Sequence, residues 1–406
     1  MSVGLEFPTS ILPIEGIRLS AESAGLYDKE RLDLALIEIS EGSVVSAVFT
    51  QNLFCAAPVQ IAKQHLNESE PRYCLINAGN ANAGTGNQGL LNASSTCKTL
   101  ANLTACKEEE VLPFSTGVIG EDLPVEKINN TLPTLVENLT DNDWLDAAKA
   151  MMTTDTIPKA VSIQVSIAET TISITGIAKG AGMIKPDMAT TLSYIATDAN
   201  ITKDLLGIIL SNAVSKSFNR ITVDGDTSTN DSCVIFATGK ENNLLIDKQD
   251  SDAFNILENA LLKVCCDLAQ AIVRDGEGAT KFISIEVNGG MKETECLAVA
   301  YKIAESPLVK TAFTASDPNW GRILAAIGNS GIHDMDINKV EIYLDDLCIV
   351  EHGQRSKSYT EDEGKVIMSQ DEIKLCVNLN RGRYKEEIWT TDLSHEYVTI
   401  NAEYRT

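Results

Sequence analysis

Along several stretches of this chain apolar and polar residues alternate, and elsewhere apolar residues return every three or four positions, so both strands and helices are predicted. LALIEIS (34–40) and VVSAVFT (44–50) are β-rich, and VSIQVSIAETTISITG (161–176) alternates on both sides of a short Glu-Thr break, which predicts a hairpin. FISIEVNGG (282–290), VEIYLDDLCIV (340–350), IKLCVNLNRG (373–382) and YVTINAEY (397–404) complete the strand-like set. Between them, Phe254, Leu257, Leu261, Val264, Leu268 and Ile272 recur at helical spacing behind Asp252, an N-cap candidate, until Asp275 and Gly276 stop the run. DWLDAAKAMM (143–152) and KDLLGIILSNAVSKSF (203–218) predict two further helices. Paired strands with helices between them predict a layered α+β fold rich in antiparallel sheet, not a doubly wound parallel one. No repeat, low-complexity tract or Pro/Ser-rich linker marks a domain boundary.

Composition narrows the function. A chain of 406 residues can bury a large core. Its 33 basic against 57 acidic side chains give a net charge of −24, which repels nucleic acid and anionic membrane surfaces. The opening stretch MSVGLEFPTSILPIEGIRLS lacks a basic region ahead of a long apolar run, and no apolar window reaches a membrane span, so a cytoplasmic protein is expected. The ten cysteines form no CxxC pair and no zinc-spaced cluster, and most are expected to be buried, reduced small hydrophobes. The four histidines are isolated from one another and none is assigned to catalysis.

Several small-residue motifs carry candidate chemistry. NAGNANAGTGNQG (77–89) has neither a following Gly-Lys-Ser/Thr nor GxGxxG spacing, so a tight loop lining a pocket is preferred to a phosphate cradle. VDGDTSTNDS (223–232) lacks the glycine and glutamate that a calcium loop needs, and reads as a polar turn or pocket rim. In RDGEGATKF (274–282), Glu277 reads on its own as a solvated loop carboxylate. SDPNWGRIL (316–324) places Trp320 and Arg322 in a turn before a helix, where the arginine could clamp a carboxylate or make a structural salt bridge. KGAGM (179–183) leads into KPDMATTLSYIATDAN (185–200), where a small residue precedes a hydroxyl and leaves room for attack on the preceding carbonyl. By spacing alone this is a binding loop entering a strand.

Taken together, nine motifs resemble the bifunctional ornithine acetyltransferase / glutamate N-acetyltransferase family of arginine biosynthesis. They are VFTQN (48–52), INAGNANAGTG (76–86), STGVIG (115–120), MTTDTIPK (152–159), KGAGMIKPDMAT (179–190), VDGDTSTND (223–231), RDGEGATKF (274–282), DPNWGRI (317–323) and NAEYRT (401–406), in the family's order. Two positions depart from its pattern: Thr191 stands where methionine is expected after the nucleophile, and Asp187 where asparagine is common.

The resemblance implies a four-layer α/β/β/α sandwich of the N-terminal-nucleophile type, made as a precursor that cuts itself between Ala189 and Thr190. Residues 1–189 would carry the oxyanion hole and part of the substrate site, and residues 190–406 the nucleophile and the remaining contacts. The freed α-amino group of Thr190, with an ordinary pKa of roughly 7.7–8.0, would serve as the base for its own hydroxyl. The implied reaction is ping-pong transfer of acetyl from N²-acetylornithine to glutamate, giving ornithine and N-acetylglutamate. The resemblance assigns Thr116 and Gly117 to oxyanion stabilisation, and Thr153, Lys179, Thr190, Glu277, Asn401 and Thr406 to substrate contact; Thr154 and Thr156 compete with Thr153 for that role. It implies no metal and no organic cofactor, admits acetyl-CoA as a co-substrate, and suggests a heterotetramer with two copies of each cleaved chain. An N-terminal-nucleophile aminopeptidase or amidase of related architecture is the alternative.

Overall fold

The computed structural model describes residues 2–185 and 191–403. Ala189, Thr190 and Thr406 therefore lie outside the described residues.

Two sheets stack face to face. The first runs Ile17–Glu22, Leu34–Ile39, Tyr73–Asn77, Val111–Ser115 in spatial order. The second runs Val44–Phe49, Ser232–Ala237, Leu192–Thr197, Thr170–Lys179, Lys159–Ile167. The period-two alternation of the strands decides which layer each side chain joins. Ala35, Ile37 and Ile39 share one core with Tyr194, Ala196, Val234 and Phe236, which fills the space between the sheets. Their neighbours Leu34 and Leu36 point the other way, under Cys97, Leu100, Leu132 and Leu135 of the helices Gly86–Thr104 and Val125–Glu137. On the far side of the second sheet, Ile195, Cys233 and Ile235 pack with Leu206, Ile209, Leu257 and Leu261 of the helices Lys203–Lys216 and Asp252–Arg274. Helix, sheet, sheet, helix is the four-layer order expected. Phe114 and Tyr194 meet edge-on across the middle, with centroids 5.3 Å apart and planes at 83°. Such a pair adds about 0.5–1.5 kcal/mol beyond the roughly 1.5–3 kcal/mol gained by burying each large apolar side chain.

From Phe282 onward the chain supplies six strands of a seven-stranded sheet, with Ile221–Thr222 added at one edge, and a separate core in which Ile283, Ile285 and Val287 pack with Val299, Ile303 and Phe313 of the helices Glu293–Ala304 and Pro307–Thr314. The expected hairpin is present as Lys159–Ile167 against Thr170–Lys179. Three local expectations are corrected. VEIYLDDLCIV is two strands, Glu341–Leu344 and Leu347–Glu351, because Asp345 turns the chain at a φ of +48°. YVTINAEY is not a strand over its described residues: 397–402 lie within the helix His395–Ala402, and none of that helix is buried, so no sheet face selects the alternating pattern. The N-cap of the long helix is Ser251, whose hydroxyl accepts from the Phe254 N–H, one residue earlier than Asp252.

The register that matters for the site is Lys179 opposite Leu192, in adjacent antiparallel strands of the second sheet. The segment between them connects hydrogen-bonded neighbours. Among the described residues, no helix is long and apolar enough to cross a membrane.

Candidate active site

Six of the site residues assigned in the sequence, Thr116, Gly117, Thr153, Lys179, Glu277 and Asn401, line one cavity of about 260 Å³. They come from five separate stretches of chain, so the cavity is a product of the layering and not of local sequence.

Thr116 and Gly117 follow directly on the strand Val111–Ser115 of the first sheet. Asn80 bridges to both Thr116 and Val118, which folds the glycine-rich loop against STGVIG. Gly117 sits at a φ of +132°, and a Cβ there would fall 2.3 Å from the Gly79 carbonyl carbon and 2.5 Å from the Asn80 nitrogen, so only glycine fits. The 77–89 loop lines the pocket through Ala81, as expected. Asn230, from the 223–232 motif, ties this wall to the second sheet by donating to Ala81 O at 2.6 Å and Ser115 O at 2.9 Å. That motif is the pocket rim: Ser228, Thr229 and Asn230 all face the cavity.

Lys179 ends its strand with its ammonium between two hydroxyls, donating to Thr116 Oγ1 at 2.8 Å and to Thr153 Oγ1 at 3.4 Å. Both oxygens act as acceptors here, which leaves each hydroxyl proton free to donate into the cavity. Burial pushes the Lys179 pKa down, against the opposing pull of Asp155, Asp231 and Glu277. Thr153 and Thr154 both line the cavity, whereas Thr156 turns away to bond Asp275.

Behind this wall lies an ion cluster that the sequence did not reveal. Lys159 Nζ donates to Asp155 at 2.6 Å and to Asp275 at 2.7 Å, with all three side chains almost fully buried. Asp155 also accepts from the Gly180 N–H at 2.7 Å and the Thr153 N–H at 3.0 Å, so one carboxylate fixes the backbone beside two site residues. Burial alone would raise the Asp155 pKa, but Lys159 and Lys179 outweigh it and hold the group well below the usual carboxylate range. The only sequence signal was the Asp155–Lys159 spacing, and the partner Asp275 is far along the chain.

Glu277 is corrected from a solvated to a buried carboxylate, 7% exposed. It is reached by Asn401, whose Nδ2 donates to Glu277 Oε2 at 2.6 Å from one helical turn after Tyr397. Gly182 makes room, since a Cβ there would lie 2.4 Å from the Glu277 carboxylate. Asp231, adjacent to Asn230, was also missed. It is 4% exposed with Oδ2 unpartnered among the described residues, and burial raises its pKa well above the ordinary value despite Lys179 nearby. Arg322 is not part of the cavity; it donates to Leu308 O and Thr311 Oγ1, bracing one helix on another. Five of the ten cysteines are buried and five half-buried. His65 is buried, with Nδ1 2.7 Å from Val111 O. Among the described residues, no cluster of His, Cys, Asp and Glu is placed to hold a metal ion.

The ArgJ family profile matches residues 18–406. The arginine biosynthesis bifunctional protein ArgJ of Pseudomonas fluorescens (strain Pf0-1) is 52% identical over 406 residues, spanning 100% of both chains. Among solved structures, the arginine biosynthesis bifunctional protein of Bacillus halodurans is 41% identical with a TM-score of 0.48, covering 50% of this chain and 95% of that one. Ornithine acetyltransferase of Mycobacterium tuberculosis, complexed with ornithine, is 33% identical with a TM-score of 0.40, covering 44% of this chain and 94% of that one. With a profile match over nearly its whole length and a relative more than half identical from end to end, the chain belongs to the ArgJ family.

Proposed function

We propose that this chain is an acetyltransferase of arginine biosynthesis, moving acetyl from N²-acetylornithine to glutamate through an ester on Thr190. Membership of the ArgJ family supports this over a peptide-hydrolysing enzyme of similar layering. The observation that carries the chemistry is the meeting of Thr116 and Gly117 with Lys179 on one side of a cavity and the Glu277–Asn401 pair on another.

Maturation comes first. The Thr190 hydroxyl adds to the Ala189 carbonyl carbon, the C–N bond breaks as the C–O ester forms, and the proton passes to the departing nitrogen. Water then adds to the ester, leaving a carboxylate on Ala189 and restoring the hydroxyl on Thr190, now beside a free α-amine that acts as its base. In turnover the acetyl carbon exchanges its bond to the ornithine nitrogen for one to Thr190 oxygen, and ornithine leaves protonated. The amine of glutamate then attacks the ester, and N-acetylglutamate departs.

Each tetrahedral intermediate carries an oxyanion, which the free hydroxyl proton of Thr116 and the Gly117 N–H would stabilise; removing such a donor typically costs about 100- to 1,000-fold in rate. Glu277 is suited to the side-chain ammonium of ornithine, with Asn401 holding the carboxylate in place. Thr153 and Thr406 complete the substrate contacts in this reading. Cytoplasmic location and assembly as two copies of each piece are part of the same proposal, and no metal or organic cofactor enters it.

The test is the intact mass of the purified protein beside Thr190→Ala, together with an acetyl-transfer assay. Two fragments, the larger beginning at Thr190, with the variant whole and inactive, are expected. An uncut yet active wild-type chain would overturn the nucleophile assignment, and release of acetate without N-acetylglutamate would favour a hydrolase. Acetyl-CoA in place of acetylornithine decides whether there is a second donor.

A further inference from the structure

We infer that Asp224 is a positioning residue for self-cleavage, holding the backbone that leads into the scissile loop. The inference rests on the self-cleaving reading above. Asp224 Oδ2 accepts from the Met183 N–H at 2.6 Å and Oδ1 from the Ile184 N–H at 2.9 Å, so one carboxylate grips two consecutive amides. Around it the same short stretch takes hold of the next groups along. The Ile184 carbonyl accepts from the Val223 N–H at 2.8 Å and the Thr222 hydroxyl at 3.0 Å, and the Lys185 carbonyl accepts from the Thr227 hydroxyl at 3.0 Å. The Lys185 ammonium is paired with Glu305 at 3.0 Å.

This grip holds an unfavourable shape. Met183 sits at a φ of +56°, in the left-handed region that residues with a side chain seldom adopt, and the paired amide bonds of Asp224 are what compensate it. On the far side of the loop, the Thr191 carbonyl accepts from the Ser232 N–H at 2.8 Å. The described residues immediately before and after the cleavage segment, Lys185 and Thr191, are thus both fixed to the 222–232 stretch. Attack of a hydroxyl on its own preceding carbonyl demands a close approach that a relaxed trans peptide does not offer, and fixing the ends of the segment removes the freedom that would otherwise oppose it.

Asp224 itself does not line the cavity, although Met183, whose N–H it holds, does. Because its bonds go to backbone leading into the scissile segment and not to a group that meets substrate, it is expected to matter mainly for the cut, with acetyl transfer largely kept once the cut is made, a division that a merely structural residue would not produce. It also accepts from the Asp226 N–H at 3.2 Å, within its own loop, and from the Tyr397 hydroxyl at 3.4 Å, on the helix that carries Asn401, so the fold must be monitored alongside.

The experiment follows the fraction of uncut full-length chain by intact mass after synthesis is stopped, for wild type, Asp224→Asn and Thr227→Val. Charge-assisted bonds of this kind predict a cut about tenfold or more slower in Asp224→Asn, and about threefold slower in Thr227→Val, which removes a single neutral bond. The urea midpoint should hold and the acetyl-transfer kcat of the cut fraction should stay within about twofold. Wild type and both variants cutting at one rate overturns the role of Asp224 while leaving self-cleavage standing; a wild-type chain that never cuts overturns both. Asp224→Asn with a slowed cut and an equally reduced kcat after cutting would make Asp224 a general structural residue and overturn the inference. If Asp224→Asn does not fold, Thr227→Val carries the decision, and an unchanged rate there overturns the clamp.

Discussion

Lys179 and Thr116 are joined at 2.8 Å, the ammonium donating to the hydroxyl oxygen, and this contact links the two stacked sheets in the wall of the cavity. Lys179 closes a strand of the second sheet, while Thr116 immediately follows a strand of the first. The lysine orients a hydroxyl that must point its proton at substrate. Replacing it with methionine removes the donor and keeps the apolar stem. Lys179→Met is expected to lower kcat/KM for acetyl transfer by about 100-fold. An unchanged value, with the protein shown to be cut, would remove the lysine from the machinery.

Gly182 and Glu277 offer a more selective probe. The glycine has an ordinary backbone conformation, so alanine is tolerated there by the chain itself, but its Cβ would fall 2.4 Å from the carboxylate. The carboxylate must swing away and lose the 2.6 Å bond from Asn401. Gly182→Ala is expected to keep its urea midpoint, raise KM for acetylornithine about tenfold and change kcat little. Steady-state kinetics decide it: a KM that does not move would mean that Glu277 does not meet the substrate.

Lys310, which does not line the cavity, gives a pH signature. Its ammonium donates to Thr390 Oγ1 at 3.1 Å and to the Thr391 carbonyl, and burial pushes its pKa down to about 8 despite Asp392, Asp224 and Glu305. Below pH 8 the folded chain must hold a buried charge, and that penalty is present in full. Between about 8 and the ordinary 10.5 the unfolded chain binds the extra proton, so this group makes stability rise with pH. The full swing is roughly 3 kcal/mol. Lys310→Met should flatten that part of the urea-stability profile, whatever constant offset the lost hydrogen bonds add. Parallel profiles for variant and wild type would show that Lys310 keeps its proton throughout.

Much of this was readable in the sequence because it is local. Alternation along LALIEIS divides Leu34 and Leu36 from Ala35 and Ile37, and with them the outer from the inner core. Of the residues assigned by resemblance, Thr116, Gly117 and Lys179 reach the cavity from a strand end or the turn directly after one. What escaped depends on distant partners. Glu277 reads as a surface carboxylate because nothing near it in sequence says that Gly182 leaves it a berth or that Asn401 comes to meet it. Asn401 itself was placed on a strand, since Tyr397, Thr399 and their neighbours alternate just as well without a sheet to join. The Asp155–Lys159–Asp275 cluster needs a third member more than a hundred residues away, which no spacing rule reaches.

The second sheet interleaves strands from both sides of the Ala189–Thr190 bond, Thr170–Lys179 lying directly against Leu192–Thr197. A polypeptide divided there would have its halves stitched to each other by a shared ladder of hydrogen bonds and a common apolar filling. Neither piece could leave without tearing the sheet open, so scission would create two new chain ends without creating two independent molecules. The partners would be born in equal number and already docked, and no cell would have to match the supply of one to the other.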